Sequence, residues 1–206
     1  MAHRILLFSC LIILISATGC GSGVSFFHLS GPEKYWVVKH PFIARKAREI
    51  MIEAKNQSKL MESDKRLDGD PDGGQVDAFR HSYWLARLSQ QMKTGKALAL
   101  GVAHEKNARK NFEKKKAVEE NSVQDSIASV MDLYNNSVGA RVGSNNKTLQ
   151  REPLKQLLVD MILKGEMKKI LKSPSGLPLN CNRRILDSTE YVGRWNNMRC
   201  LIFSDQ

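Results

Sequence analysis

"GGQVDAFRHSYWLARLSQQM", Gly73 to Met92, decides the fold class. Two glycines close a loop, no proline follows, and Phe79, Tyr83 and Ala86 return at i, i+4 and i+7, the spacing of one helix face. Asp77, Arg80, His81 and Trp84 share a second face at i, i+3, i+4 and i+7. A helix with an apolar seam and a separate ionisable arc is built to pack against other helices.

The flanking sequence reads the same way. Upstream, "HPFIARKAREIMIEAKNQSKLME" sets Ile43, Ala47, Ile50 and Ala54 on one helical stripe. "SDKRLDGDPDGGQ" is a loop by composition. The pattern predicts helices over Val76–Met92, Gly95–Lys110, Val123–Val142 and Glu152–Leu171. "RILDSTEYVG" is the one strand candidate, and no internal repeat emerges. The expected architecture is an all-α orthogonal helical bundle with an irregular, disulfide-pinned C-terminal tail.

The N-terminus points to the cell envelope. A short basic start leads into "ILLFSCLIILIS", Ile5–Ser16, which falls short of the roughly 20 apolar residues a membrane span requires but suits a signal-peptide core. "SATGC" then resembles the lipobox of bacterial lipoproteins. That resemblance implies cleavage before Cys20 and acylation of its thiol, palmitate included, leaving residues 20–206 anchored to a membrane. A secretory signal cut after Ala17 or Gly19, or an uncleaved anchor, is the alternative. Gly21 stands where an inner-membrane retention signal would carry Asp, so the outer membrane is favoured if the host has one. The expected organisation is a signal peptide over 1–19, a tether over 20–36 and a single mainly helical domain over 37–206.

Four cysteines fit that compartment. Cys10 leaves with the signal and Cys20 takes lipid, so Cys181 and Cys200 remain to form a disulfide, with two buried thiols as the alternative. No CxxC spacing supports a zinc ribbon or a redox motif. Lys+Arg 32 against Asp+Glu 21 gives a net charge of +11, which suits an anionic envelope component such as phospholipid headgroups, lipopolysaccharide or wall polymers. No nucleic-acid partner is expected. The run "HEKNARKNFEKKKAVEEN" lacks the aromatic interleaving of a binding stripe and reads as a solvated segment.

"DGDPDGG" places Asp68, Asp70, Asp72 and Gly73 at positions 1, 3, 5 and 6 of a calcium loop, but position 12 is Phe79 where a bidentate Glu belongs. A polar turn leading into a helix is the better reading.

The ionisable arc has a counterpart. In "SIASVMDLYNNSVGARVG", Asp132, Asn135, Asn136 and Gly139 repeat the same spacing beside an apolar stripe of Ile127, Met131, Tyr134 and Val138. Asparagines in mid-helix compete for backbone hydrogen bonds, so their presence suggests a ligand or an inter-helix network. His104 and Glu105 end the small-residue stretch "LALGVAHEKN" between the two helices.

"DAFRHSYW", "AHEK" and "MDLYNNSVG", in that order, resemble the signature of a bacterial domain family of unknown function, found in secreted proteins and at the C-terminal ends of YD-repeat, wall-associated and toxin-like proteins. Asp77, Arg80, His81, His104, Glu105, Asp132, Asn135, Asn136 and Gly139 match its motifs, although the lysine-rich stretch after Glu105 is longer than the family pattern. The resemblance implies membership and no settled activity.

Two classes of function follow. In the first, the arcs form a polar cleft in a hydrolase acting on an envelope component. His81, His104, Glu105 and Asp132 are then the catalytic candidates: the two histidines bind a divalent metal or act as acid and base, and Glu105 or Asp132 activates water. Asp77, Arg80, Asn135 and Asn136 would bind substrate. In the second, the lipoprotein is non-catalytic, an immunity, exclusion or envelope-assembly factor, and the same residues form a structural hydrogen-bond network.

Overall fold

A computed structural model of the chain describes residues 29–115 and 125–206. The expected signal peptide, the lipidation candidate Cys20, the first part of the expected tether and the end of the lysine-rich run lie outside the described residues.

The helical expectation holds. Ser30 and Glu33 form a capping box that starts α1, Gly31–Lys39, within the stretch expected to be tether. Its Trp36 is buried and donates Nε1 to Lys96 O at 2.9 Å, so this part of the chain packs down. Pro41 opens α2, Pro41–Met61, where its missing N–H is harmless. The α2 stripe Ala47, Ile50, Ala54, Ser58 and Met61 is buried.

The central element is α3, Gln75–Gln91, packed by α2, by α4 (Thr94–Lys115), by α5 (Ser126–Asn145), by α6 (Arg151–Leu163) and by the first strand of the tail. Every residue from Gln75 to Gln90 except Arg80 is buried. A helix buried on all sides needs its polar side chains answered. Glu53 accepts from Tyr83 Oη at 2.7 Å and from Arg87 Nε at 2.8 Å. Gln90 donates to the carbonyls of Asn146 and Leu149, and Gln75 to that of Ser204.

The expected helix over Glu152–Leu171 is too long. It ends at Leu163, because Gly165 takes a left-handed φ of 75° and Glu166 N returns to Met161 O at 2.9 Å. The chain then enters β1, Lys168–Ile170, which pairs antiparallel with β2, Leu201–Phe203, in the register Lys168↔Phe203 and Ile170↔Leu201. The strand candidate Arg184–Gly193 is corrected too. Asp187 and Glu190 form a capping box there and start a short helix, α7, Ser188–Tyr191.

The tail is pinned as expected. Cys181 and Cys200 form a disulfide with Cα atoms 4.9 Å apart, and Cys200 packs with Leu171 and Leu179 in a small satellite core. Ile170 N donates to Gly73 O at 2.7 Å, joining the tail to the loop before α3. Arg199 pairs with Asp125, the residue that caps α5 through Ala128 N.

The loop aspartates behave as a polar turn. Asp68 accepts from Gln75 N, Asp70 accepts from Asp72 N, and Lys172 sits 2.6 Å from Asp70. The lysines of the tail supply the positive charge there. No described helix is long and apolar enough to cross a membrane.

Candidate functional site

Two glycines bring the polar arcs together. A Cβ built on Gly139 would lie 2.6 Å from Ser82 C and Cα, and one on Gly143 would lie 2.6 Å from Ala86 C. The backbones of α3 and α5 therefore touch at Ser82/Gly139 and Ala86/Gly143, each pair one turn along its helix. Asp132, Asn136, Gly139 and Gly143 share one face of α5. The close approach carries that whole face, charged end included, onto Asp77 and His81. The face of α5 that meets α3 is thus the polar one. Of the expected apolar stripe, Met131 and Val138 are buried while Ile127 and Tyr134 are half-buried.

Asp77 stands in the first turn of α3, 5 % exposed. Its Oδ2 accepts from Gly73 N at 2.8 Å, and its Oδ1 pairs with Arg80. His81, one turn on and 4 % exposed, has Nε2 2.8 Å from Arg80 Nη2. A guanidinium only donates, so Nε2 presents its lone pair to Arg80 and the ring proton sits on Nδ1, 3.3 Å from Asn136 Oδ1. Asp132 Oδ1 lies 3.2 Å from the same Nε2 and has no hydrogen-bond partner, and Asp77 Oδ1 lies 3.6 Å away. Three Lewis-basic atoms thus converge, all within 4.8 Å of one another.

Glu105 adds a third carboxylate. It is 5 % exposed, and neither its oxygens nor the Ser129 hydroxyl has an aligned hydrogen-bond partner. Burial pushes the Asp132 carboxyl well up, reinforced by the charges of Asp77 and Glu105. Burial likewise raises Asp77 against the pull of Arg80, and Glu105 against the pull of His104 and Ser129. It drives His81 well down, and Arg80 adds to that. The centre holds its imidazole neutral among three carboxyls of raised proton affinity. Arg80 is the one member of this group whose side chain reaches solvent, at 39 % exposure.

Two predicted site residues point elsewhere. His104 is half-exposed and pairs with Glu33 at 2.8 Å, its ring edge-on to Trp84 at 5.5 Å between centroids. Successive helical residues diverge by about 100°, so Glu105 and His104 cannot both face inward. Asn135 clamps the tail, donating Nδ2 to Lys168 O and accepting from Lys168 N, both at 2.9 Å. Ser129 and Gly143 went unread in the sequence, though both lie on the Asp132 face at helical spacing, where that signal was available. Asn136, a substrate-binding candidate by sequence, accepts from His81 Nδ1 at 3.3 Å.

No curated protein and no solved structure matches the chain. A family model matches residues 34–166, from α1 through α6 and thus across every residue of the Asp77, Arg80, His81, Glu105 and Asp132 centre. The chain belongs to the family described as a domain of unknown function (DUF6973).

Proposed function

We propose that this chain is an envelope lipoprotein whose Arg80–His81–Glu105–Asp132 centre hydrolyses an anionic envelope component. The observation that carries the reading is the Glu105 carboxyl, buried, raised in proton affinity, with Ser129 beside it but no aligned hydrogen-bond partner, and within electrostatic reach of Arg80. A carboxylate of raised proton affinity is a stronger base than an ordinary one. Glu105 takes a proton from water as the water oxygen adds to a scissile carbonyl or phosphoryl group, and returns it to the departing oxygen or nitrogen. Arg80, part-exposed, holds the anionic group of the substrate. His81, held by Asn136, and Asp132 form the polarising side of the centre.

Tyr35, Val38 and Phe42 are exposed at the α1–α2 corner, Phe42 at 98 %, beside exposed Lys39, Arg45 and Lys46. That mixture suits an anionic bilayer surface near the point where the lipidated segment joins the domain. Cys20→Ser should move the protein from the membrane fraction to the soluble one. Retention after a high-salt wash would refute the lipid anchor.

The hydrolytic reading is tested with the full chain against phospholipid vesicles and peptidoglycan. Glu105→Gln keeps the shape and should cut hydrolysis by about 100-fold or more with little change in melting temperature. No turnover of either substrate by the parent, or an unimpaired Glu105→Gln variant, refutes it. A second reading, a non-catalytic binding lipoprotein with a structural network, is favoured by the bonds of Asn135 to Lys168 and of Asp77 to Gly73. It requires every truncation in the centre to lower the melting temperature and the parent to turn over nothing.

A further inference from the structure

Arg80 fixes the imidazole so that the Nε2 lone pair faces Asp132 Oδ1 at 3.2 Å and Asp77 Oδ1 at 3.6 Å. Asp132 is 4 % exposed, and its Oδ1 is aimed at that lone pair with no hydrogen-bond partner. Acceptors facing acceptors in a buried site repel unless positive charge stands among them. In the structure the Arg80 guanidinium supplies it, touching Asp77 Oδ1 and His81 Nε2 but leaving Asp132 Oδ1 unmet.

We infer that Asp77, His81 and Asp132 form a binding site for one first-row divalent cation, zinc or manganese, and that Arg80 competes with the cation for the same two ligand atoms. A tetrahedral ion with bonds of about 2.0–2.2 Å holds neighbouring ligand atoms roughly 3.3–3.6 Å apart, and the two separations from Nε2 are 3.2 and 3.6 Å. One imidazole and two carboxylates form a borderline-hard set. The absence of thiolate or thioether disfavours Cu(I), and the nitrogen disfavours calcium and magnesium, which take oxygen. Asn136 accepts from the other ring nitrogen, the support that ligating histidines ordinarily have. Two carboxylates neutralise a divalent ion, so Arg80, already 39 % exposed, is released toward solvent when the ion binds. An open position on the ion would hold the water of the hydrolytic reading; this role rests on that reading, whereas the binding of the ion does not.

The test uses the untagged full chain in detergent, stripped by a chelator and equilibrated with Zn²⁺ or Mn²⁺ at concentrations on the order of 10 μM. Elemental analysis should find one equivalent, with Zn²⁺ held more tightly than Mn²⁺. Asp132→Asn and His81→Asn should each weaken binding by at least about 100-fold, with folding checked by near-UV circular dichroism. Arg80→Gln should tighten it by about tenfold. If the ligand variants fail to fold, Arg80→Gln carries the test together with the visible spectrum of the Co²⁺-loaded parent, which should report tetrahedral coordination. A parent that binds no more than folded Asp132→Asn, or an Arg80→Gln variant that binds more weakly than the parent, overturns the site. Bound metal without hydrolysis removes the hydrolytic reading and leaves the site standing. Hydrolysis that persists in metal-free protein removes the ion from the reaction, and the binding measurements alone then decide the site.

Discussion

Gly139→Ala tests the contact on which the centre depends. The added Cβ would sit 2.6 Å from Ser82 C and Cα and closer still to Ser82 O, at least about 0.8 Å inside the 3.4 Å at which ordinary contact begins, and all the atoms it meets are backbone. Neither helix has a flexible side chain there to yield, so α3 and α5 must part. Overpacking of this kind costs up to about 3 kcal/mol, and replacing Gly by Ala in a helix returns about 1 kcal/mol. The net loss of about 2 kcal/mol lowers the melting temperature by roughly 4–8 °C in a domain of this size. Parting the helices by at least that distance opens the 3.2 Å gap between His81 and Asp132 to about 4 Å or more, so metal affinity should fall alongside stability. Thermal unfolding followed by far-UV circular dichroism reads the first effect. Gly95→Ala is the control: nothing lies within 4 Å of its Cβ, and it should leave the melting temperature unchanged or raise it. A drop of under 2 °C for Gly139→Ala, on the scale of about 2–4 °C per kcal/mol, would refute the close-approach argument.

Asn135→Ala removes both bonds to Lys168 and should cost about 1–3 kcal/mol in urea unfolding, accompanied by faster amide exchange at Lys168, while zinc binding is preserved. Cys181 and Cys200 should resist alkylation until reduced, and Cys181→Ala/Cys200→Ala should lose about 3 kcal/mol because the bridge closes a loop with a sequence separation of 19. Burial pushes the Glu33 carboxyl up, but bonds from His104 and Ser30 outweigh it and hold the group at about 2, below its ordinary 4.5. A depressed folded pKa contributes stability that is present above pH 4.5 and lost as pH falls toward 2. Trp36 fluorescence in acid titration should therefore show a loss in that window that Glu33→Gln lacks.

Local pattern made the helices legible. Apolar spacing located α2 through α5 to within a few residues, and cysteine parity identified the Cys181–Cys200 bridge. Both signals act between residues a turn apart or through simple counting. The end of α6 is written in Gly165, whose left-handed backbone stops the helix, but Met167, Ile170 and Leu171 beyond it keep helical spacing and mask the signal. The sequence also placed Asp77, Arg80 and His81 on one arc and Asp132 and Asn136 on another.

Only the tertiary structure decided which arc residues meet. The periodicity of a helix assigns faces without saying which face is buried, and apolar residues ordinarily settle that question. Here the glycines settle it. Gly139 and Gly143 allow backbone contact with Ser82 and Ala86, and that contact buries the polar face of α5. It brings Asp132 to His81, while His104, one residue from Glu105, turns out to Glu33 and Asn135 turns to the tail. Identical side chains at identical spacing thus acquire different roles, because the geometry of a site depends on inter-helix distance, which no single helix encodes.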